Sequence, residues 1–510
     1  MNLNLRKADF LDHAASGRIE PLFSEIPYVE PYLFYEWLSA SRQLHQSILL
    51  ESVRGPYKIA RYSFIAFEPY LVLNAKDGEV GISSSAGEKR SISSRSPLDR
   101  LSELIAAYPQ SAVPELPPFQ GGAIGLLSYD FVRYLEDIPR NAVADLDIPD
   151  IHFMMADRIV AFDHLEKRAW IIISPGARHT ELGYRDTADI DWNTAYDEAE
   201  EVVRAIDGGI KAGDVSLQQS GHLHHLAYSR QSSVSLNYEM NKASYMEMVR
   251  EAKEYIASGD IFQANLSQRI SAYVDDAVPW DIYKVLRHIN PSPFAAFADF
   301  GSYSIVSSSP ERLVTVKDRI IETRPIAGTR PRGQGVNEDA LMRTQLLLNE
   351  KERAEHIMLI DLERNDMGRV AEFGSIKVDE LMITEDYSHV MHIVSNIKGL
   401  LKNGKTCFDV IRAAFPGGTI TGVPKVRCME IIDELEPVAR GPYTGSLGYI
   451  GFSGSMDLNI IIRSFVLKDK YAYVQAGAGI VADSDPEREY YETLKKAEAL
   501  IKTIEHLQKA

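Results

Sequence analysis

The chain has 510 residues, too many for one ordinary compact core, so we expect two domains or one large composite body. Hydrophobic residues make up 45% of it and charged residues 25%, which is typical of globular proteins. The formal net charge of −17 disfavours nucleic acid and anionic membranes as partners, because binding either one requires a basic surface. A small anionic substrate remains possible, since a few basic residues or a metal ion can hold one locally.

Cysteine usage and the N-terminal sequence indicate a cytoplasmic location. The chain has two cysteines, Cys407 and Cys428, which form no disulfide framework and suit a reducing compartment. Residues 1–17 contain no apolar segment, so we expect no signal peptide. The longest apolar runs, such as residues 169–173, have the length of a strand and are too short to cross a membrane. We therefore expect a cytoplasmic protein with no membrane partner and no nucleic-acid partner.

The first part of the chain, residues 1–211, alternates short β-rich runs with helical stretches. Residues 47–53 and 152–162 have the composition of strands, and residues 190–206 have the period of an amphipathic helix. The next stretch, residues 212–237, is rich in Ser, Gln and His and has no periodicity. It is predicted to be a linker or a long surface loop.

The remaining part, residues 238–510, also mixes the two types of element. A helix is predicted at 241–258, and two long helices are predicted at 337–366 and 486–508. Strands rich in β-branched residues are predicted at 264–273, 304–307 and 312–316. The whole pattern predicts an α/β (α+β) fold.

Two of the predicted helices each carry a pair of glutamates on one face. Glu352 and Glu355 are three residues apart, and Glu489 and Glu492 have the same spacing. If the two helices meet, the four carboxylates offer the hard oxygen ligands that Mg²⁺ prefers. By spacing alone each pair is more often a solvated helix face, so both interpretations stay open at this point.

Other segments have an anion-binding interpretation and a purely structural one. The glycine-rich turns at 416–425 and 477–480 offer backbone amides to an anion, although neither has the spacing of a P-loop or a dinucleotide fingerprint. The cationic segment 323–333 is either a carboxylate clamp or a solvated loop. Arg463 ends the apolar run 458–462, and an arginine that leaves a buried strand usually has an anionic partner.

Long sequence stretches spread over nearly the whole chain match one family in content and order. They are LLES (49–52), RYSFI (61–65), FQGGAIGLLSYDFVRYLE (119–136), GDIFQANLSQ (259–268), SPE (309–311), TRPIAGTRPRG (323–333), KERAEHIMLIDLERNDMGRV (351–370), SHVMHIVS (388–395), FPGGTITGVPK (415–425), YTGSLGYIGFSGSMDLNIIIR (443–463) and AGAGIVADSDPEREYYETLKKA (476–497). The chain resembles the chorismate-utilising enzymes, which include the large subunits of anthranilate synthase and aminodeoxychorismate synthase. The resemblance implies a large α/β body of two orthogonally packed β-sheets with outer helices, and a catalytic region in the second half.

The resemblance also implies a magnesium ion as cofactor. Four glutamates match the family's Mg²⁺ site, and the ion is expected to hold the ring carboxylate of chorismate; they are Glu352, Glu355, Glu489 and Glu492, with Glu355 and Glu492 as the expected direct ligands. Among the substrate-binding positions, Tyr443 and Arg463 match groups that hold the enolpyruvyl carboxylate. Gly479 and Lys496 match groups around the substrate carboxylates.

Four further positions match residues around the reacting ring. Glu311 matches the acid beside the C4 hydroxyl, which must be protonated to leave as water. His392 matches a histidine beside the ring, and Thr329 matches a residue that lines the site. Gln263 stands where relatives that add water at C2 have a lysine base. Because a neutral amide cannot take a proton from water whereas ammonia needs no base, Gln263 favours amination over hydration.

The local sequence forms favour the aminodeoxychorismate branch over the anthranilate branch. GDIFQANLSQ, FPGGTITG and Asn459 resemble that branch, whereas Ala327 stands where many of its members have a lysine nucleophile. Without that lysine, ammonia itself must attack. Anthranilate synthase therefore stays the alternative. A non-catalytic sensor on the same fold is a second one, although it predicts gaps in the metal and acid positions that the sequence does not have.

Two expectations concern regulation and partners. Ser52, Pro293 and Phe294 match a pocket that binds feedback tryptophan in anthranilate synthases, but Phe294 and Ala295 replace its Tyr–Met pair. We therefore expect a vestigial pocket and weak inhibition by tryptophan. The chain has no Cys–His glutaminase pattern, so a separate glutamine amidotransferase subunit is expected to supply the ammonia.

Overall fold

The computed structural model describes residues 3–183, 187–212, 235–275, 277–333, 335–386 and 390–507. The α-helices in these ranges are α1 (Lys7–Ala15), α2 (Pro31–Arg42), α3 (Pro97–Ala106), α4 (Trp192–Lys211), α5 (Lys242–Ala257), α6 (Pro279–Ile289), α7 (Val336–Leu348), α8 (Glu350–Gly368), α9 (Cys407–Ala414), α10 (Lys425–Leu435) and α11 (Pro486–Leu507). Most of the linker predicted at 212–237 lies outside the described residues.

The strands fall into two large sheets. In chain order they are β1 (Leu22–Ile26), β2 (Ser47–Glu51), β3 (Tyr62–Ala66), β4 (Leu71–Lys76), β5 (Glu79–Ser84), β6 (Lys89–Ser93), β7 (Gly122–Leu127), β8 (Ile151–Ala156), β9 (Arg158–Asp163), β10 (Arg168–Ile173), β11 (Leu236–Tyr238), β12 (Gln263–Tyr273), β13 (Phe294–Asp299), β14 (Ser304–Ser309), β15 (Arg312–Lys317), β16 (Ile320–Thr323), β17 (Ile326–Pro331), β18 (Lys377–Asp386), β19 (Val390–Leu400), β20 (Gly422–Val423), β21 (Ser446–Gly451), β22 (Met456–Asn459), β23 (Ser464–Lys468) and β24 (Tyr471–Ile480).

Both sheets combine strands from the two halves of the chain. The first has the order β1-β10-β9-β3-β2-β13-β14-β23-β24-β12-β11, with β20 paired to β12. The second has the order β17-β19-β16-β15-β22-β21-β7-β8-β4-β5-β6, with β18 paired to β19. The prediction of a mixed α/β fold is confirmed, with two large antiparallel sheets and helices.

The two sheets pack face to face, and helices cover their outer faces. Successive side chains of a strand point to opposite faces. In β10, Trp170 and Ile172 enter a core shared by both sheets, whereas Ile171 and Ile173 pack into a separate core with helical residues such as Phe34. Because both faces of these strands are buried, their sequences are continuous apolar runs instead of alternating ones.

The prediction of one strand over 152–162 is wrong. The structure has two strands there, β8 in the second sheet and β9 in the first, and the chain passes between the sheets at Asp157. Asp157 is buried, and its carboxylate accepts two hydrogen bonds from Arg178 at 2.6 and 2.8 Å. Because the residues on both sides of Asp157 are apolar, the composition gives no sign that the chain passes from one sheet to the other there.

The prediction of one helix over 337–366 is also wrong, because the chain breaks at Asn349. Asn349 ends α7 and caps α8, its side-chain oxygen accepting a hydrogen bond from the Glu352 N–H at 3.0 Å. Asparagine is among the preferred N-cap residues since it satisfies an amide that the first helical turn leaves unpaired. The second long helix is confirmed as α11, and Asp485, the residue before it, accepts a hydrogen bond from the Arg488 N–H. None of the described helices is long and apolar enough to cross a membrane.

Two glycines give a matched test of the packing. A Cβ added at Gly125 in β7 would lie 2.1 Å from the His152 carbonyl oxygen, whereas one added at Gly208 in α4 would meet no atom within 4 Å. We expect Gly125→Ala to destabilise the protein by at least about 2 kcal/mol. Gly208→Ala should raise stability by about 0.5–1 kcal/mol, since alanine favours the helix. Thermal unfolding followed by circular dichroism measures both, and equal melting temperatures would contradict the packing of β7 against β8.

Candidate active site

Three of the predicted site positions lie together. Two of them, one on a strand and one on a helix, are joined by a hydrogen bond. The Gln263 side chain, at the start of β12, is buried, and its Nε2 donates to Glu355 Oε1 at 3.1 Å. On the neighbouring strand β24, a Cβ added at Gly479 would lie 2.5 Å from Gln263 Nε2. A glycine is therefore required at position 479 for the Gln263 side chain to lie this close to β24. Gln263, Glu355 and Gly479 form one contiguous surface.

A second group forms around Gly477, two residues earlier on the same face of β24. The Lys496 ammonium on α11 donates to the Gly477 carbonyl oxygen at 3.0 Å and lies 2.9 Å from Glu492. A Cβ added at Gly477 would lie 2.9 Å from the Tyr443 hydroxyl. Burial raises the pKa of Tyr443, so its phenol stays neutral and can donate a hydrogen bond to an anion. The structure thus brings Tyr443, Lys496 and Glu492 to one end of the site.

Glu311 is a buried acid with the properties of a proton donor. It is 6% exposed, and its Oε1 accepts no hydrogen bond from any described residue. Burial raises the pKa of Glu311 to about 7, although the Thr419 side chain, the Ile326 backbone and the positive charges of Arg463 and Lys496 oppose the rise. A carboxyl group with a pKa near the working pH suits general acid catalysis.

His392 lies on β19 and is held as a neutral imidazole. It is 3% exposed, and its Nδ1 lies 3.3 Å from the Gly328 carbonyl oxygen. A carbonyl oxygen can only accept, so Nδ1 carries the proton in this contact. Burial, assisted by the charge of Arg463, lowers the pKa of His392 to about 4. Thr329 pairs with His392 across β17 and β19, but its side chain is outside the described residues.

Arg463 lies between β22 and β23 and has a left-handed backbone. Its φ of 52° is uncommon for a residue other than glycine and marks strain that the surroundings must hold in place. The Arg463 carbonyl accepts a hydrogen bond from the Ser308 N–H at 3.2 Å, which fixes the turn to β14. The turn sets the guanidinium where its charge lowers the pKa values of both Glu311 and His392.

The four predicted metal ligands lie on two helices but form no compact cluster. Glu352 Oε1 accepts a hydrogen bond from Arg330 at 2.6 Å, and Glu355 accepts one from Gln263. Glu492 is exposed and pairs with Lys496. Among the described residues, no three His, Cys, Asp or Glu side chains form a group able to hold a metal ion.

The donor chemistry nevertheless fits a hard cation. Glu352 Oε2 is buried and accepts no hydrogen bond from the described part of the chain. A buried carboxylate oxygen without a partner is costly, and a cation would satisfy it. All four candidate ligands are carboxylates, which are the ligands that Mg²⁺ prefers. The residues present therefore suit magnesium, which stays a proposal.

The predicted tryptophan pocket corresponds to a large cavity of about 520 Å³. Ser52, Pro293 and Phe294 all line it, together with Arg312 and Asn459. Ser52 Oγ lies 2.8 Å from the Tyr62 carbonyl and 3.2 Å from the Pro293 carbonyl. The three predicted residues therefore do lie together, and the ligand of the cavity stays an open prediction.

One buried acid near the site was missed from the sequence. Glu363 on α8 is 5% exposed and lies close enough to Glu311 for the charge of one carboxyl to affect the other. Leu359, Ile360 and Met367 surround it at helical spacing and are buried. That spacing places an acid on an apolar face, which is the signal that could have identified it.

Comparisons with known proteins identify the family and relatives of this chain. The chain matches the chorismate binding enzyme family over residues 45–502. It is 43% identical to anthranilate synthase component 1 of Acetivibrio thermocellus over 459 residues, which cover 90% of each protein. It is 41% identical to aminodeoxychorismate synthase component 1 of Bacillus subtilis (strain 168) over 487 residues, which cover 95% of this chain and 97% of the relative.

A solved structure gives the same result. The crystal structure of anthranilate synthase component I from Streptococcus pneumoniae TIGR4 superposes with a TM-score of 0.71 and 36% identity, covering 87% of this chain and 92% of that one. The chain therefore belongs to the chorismate binding enzyme family. Within that family it is a chorismate-utilising enzyme of the anthranilate and aminodeoxychorismate synthase type.

Glu311→Gln should separate stability from activity. The folded protein holds the Glu311 proton more tightly than the unfolded chain, so its stabilising effect is complete below pH 4.5 and is lost as pH rises through about 7. Glutamine has no proton to lose. At pH 8 we expect the variant to have a higher melting temperature than the parent and a free energy of unfolding larger by up to about 3 kcal/mol. Near pH 4.5 the two proteins should be equally stable. Chorismate turnover should be lost.

Thermal melts at the two pH values measure this effect. Glu372→Gln, which changes a carboxylate paired with Arg319 at the surface, serves as the control and should show no such difference. A Glu311→Gln variant that is less stable than the parent at pH 8 would show that the carboxylate, not the acid, is the preferred buried form.

Proposed function

We propose that this protein aminates chorismate with ammonia to give 4-amino-4-deoxychorismate. The observation that supports amination is the Gln263 amide, which donates to Glu355 beside Gly479. Addition of water at C2 requires a base that removes a proton from the water, and a neutral amide cannot act as that base. Ammonia carries its own lone pair and needs no base. The alternative product of the same chemistry is anthranilate with pyruvate.

The substrate carboxylates would be held by the neutral and cationic donors of the site. Tyr443 keeps its hydroxyl proton because it is buried, and Arg463 offers a planar fork of donors that matches a carboxylate. Lys496 adds a second positive charge next to the Gly477 carbonyl. Magnesium, when bound through Glu352, Glu355, Glu489 and Glu492, would supply positive charge to the ring carboxylate.

Glu311 would protonate the hydroxyl that leaves from C4 as water. Its raised pKa of about 7 keeps a large part of the population protonated near neutral pH. His392, whose pKa is lowered by burial and by the same Arg463 charge that acts on Glu311, stays neutral, so it offers hydrogen bonds without adding a positive charge to the site. The incoming ammonia loses one proton on becoming the amine, and this proton restores Glu311.

Ala327 makes a covalent lysine adduct impossible at its position. It lies on β17, is buried, and pairs with Ile393 of β19, next to the strand segment that carries His392. A methyl group offers no nucleophile, so ammonia has to attack the ring directly. This feature is also compatible with anthranilate synthesis, which is why anthranilate stays the alternative.

The choice of product rests on branch-like sequence forms. Two of them, Asn459 and Phe294, are in contact, because Asn459 Nδ2 lies 3.5 Å from the Phe294 carbonyl oxygen. They therefore count as one feature of the cavity and not as two. The glycine-rich turn at Gly417 and Gly418 is a separate feature, since it packs against Ile460 and Leu362.

The ammonia is proposed to come from a separate glutamine amidotransferase subunit. Both cysteines of the chain, Cys407 and Cys428, are buried, and burial raises the pKa of each thiol to about 12. Neither can form the thiolate that glutamine hydrolysis requires. The component 1 names of the similar proteins also imply a second component.

Product analysis decides between the two aminations. Incubated with chorismate, Mg²⁺ and ammonium salt at alkaline pH, the protein should form 4-amino-4-deoxychorismate, identified by mass, without free pyruvate. A separate lyase should then release pyruvate and 4-aminobenzoate. Fluorescent anthranilate and an equal amount of pyruvate in the absence of lyase would establish the alternative.

Removal of one proposed metal ligand tests the role of magnesium. Glu355→Gln and Glu492→Gln should each weaken the apparent Mg²⁺ affinity by at least about tenfold and strongly reduce turnover, because a neutral amide binds the ion poorly. Glu350→Gln, at an exposed position at the start of α8, is the matched control and should behave like the parent. Titration of Mg²⁺ into chelator-treated protein, by calorimetry and by activity, measures the effect. Parent-like titrations for both variants would rule out a metal site at these residues.

A further inference from the structure

Two amide side chains of β12 have buried oxygens without a hydrogen-bond partner. Gln263 is 5% exposed, and its Oε1 accepts no hydrogen bond from any residue that the structure describes. The same is true of Oδ1 of Asn265, which is buried although the residue as a whole is partly exposed. Buried acceptors are normally paired, because an unpaired one loses the hydrogen bonds that water would give it. These two oxygens therefore point to a ligand that donates hydrogen bonds.

The two amides lie on the same face of β12, because Gln263 and Asn265 are two residues apart on the strand. A Cβ added at Gly477 would lie 2.4 Å from Asn265 Oδ1, and one added at Gly479 would lie 2.5 Å from Gln263 Nε2. The two glycines are likewise two residues apart, on β24. The amides thus lie side by side against a stretch of backbone that carries no side chain.

This pair of amides lies between the two ends of the candidate site. Gln263 is next to Glu355, a proposed metal ligand, to which its Nε2 donates at 3.1 Å. Asn265 is at the other end, because the Cβ position of Gly477 that is close to its Oδ1 is also 2.9 Å from the Tyr443 hydroxyl. Tyr443 is proposed above to hold a substrate carboxylate. A small molecule bound between the amides would therefore lie beside the ring of a substrate that spans both ends.

The hydrogen bond to Glu355 fixes the orientation of the Gln263 amide. A carboxylate only accepts, so the amide nitrogen faces Glu355 and the oxygen is the atom that has no partner. The amide thus turns its acceptor, and not its donor, towards a ligand. A nitrogen nucleophile needs this arrangement, because a donor would hydrogen-bond to its lone pair. Acceptors bind its N–H groups instead and leave the lone pair free to attack.

We propose that Gln263 Oε1 and Asn265 Oδ1 form the binding subsite for ammonia. The proposal rests on the proposed amination of chorismate, and it holds whichever of the two products is formed. Ammonia has three N–H groups and one lone pair, so two amide oxygens can hold it with the lone pair directed at the ring. A water molecule in the same place stays inert, since neither amide can remove its proton.

The test is the KM for free ammonia in Asn265→Leu, measured at fixed pH with saturating chorismate and Mg²⁺. Leucine has nearly the shape of asparagine but no acceptor, and the variant leaves the contact between Gln263 and Glu355 intact. We expect the KM for ammonia to rise at least about threefold, as for the loss of one hydrogen bond. The KM for chorismate should stay within about twofold of the parental value, because no carboxylate-binding group is removed. If Asn265→Leu does not fold, Asn265→Ala removes the same acceptor without adding bulk.

The same strand supplies a matched control. Gln268 also has a buried Oε1 without a partner among the described residues, but it lies on the opposite face of β12, where its amide donates to Thr493 of α11. Gln263→Met should raise the KM for ammonia, as Asn265→Leu does. Gln268→Met is the same substitution on the other face and should leave this KM at the parental value. Thermal unfolding of each variant checks that it is folded under the assay conditions.

The outcomes separate this proposal from the proposed function. If the parent does not aminate chorismate, the proposed function fails. If the parent is active and the folded Asn265 variant keeps the parental KM for ammonia, the two oxygens are ordinary water sites and the subsite is overturned. An equal rise in the KM values for ammonia and chorismate would assign Asn265 to the general packing of the site and would also overturn it. So would a rise in Gln268→Met as large as that in Gln263→Met, because the loss of any buried amide of β12 would then suffice.

Discussion

The antiparallel pairing of β12 with β24 is the constraint on which the site depends. Its register sets Asn265 opposite Gly479, so that the side chains of Gln263 and Asn265 lie over Gly479 and Gly477 of β24. Neither Gly477 nor Gly479 could carry a Cβ without displacing a neighbouring side chain. The close approach lets helices from different parts of the chain reach the same strand pair, with Glu355 arriving from α8 and Lys496 from α11.

Burial is the second organising factor, because it favours the neutral form of each ionisable group that it encloses. Tyr443 and His392 become uncharged donors, while Glu311 becomes an acid that is half ionised near pH 7. Fixed positive charge is left to Arg463 and Lys496, which face these groups. A dianionic substrate bound among these residues would meet cations and neutral donors. Holding an acid in this buried region lowers the stability of the fold at alkaline pH.

Much of this arrangement can be predicted from the sequence, and the predictions that were wrong or absent have physical causes. The helix at 241–258 and the strand at 264–273 were predicted to within a residue or so, since their patterns are strong and their ends carry Asn241 and Gly259. The strand change at Asp157 was missed because both strands are apolar on both faces. The role of Glu363 is not evident from the sequence, because its burial depends on packing against other elements of the fold. The proximity of Gln263 to Glu355 comes from tertiary packing, which no local pattern contains.

The cavity and the proposed acid are connected by a single peptide unit. Arg312 lines the cavity, where its guanidinium lies 5.2 Å from the Phe294 ring centroid and binds Asp457 through two 2.8 Å hydrogen bonds. Glu311 is the preceding residue; it is buried and is not among the residues that line the cavity. Consecutive residues of extended chain face opposite sides, so one backbone segment carries the cavity wall on one face and the acid on the other. A substitution at Phe294 or Asn459 can therefore alter the position of Glu311 through Arg312.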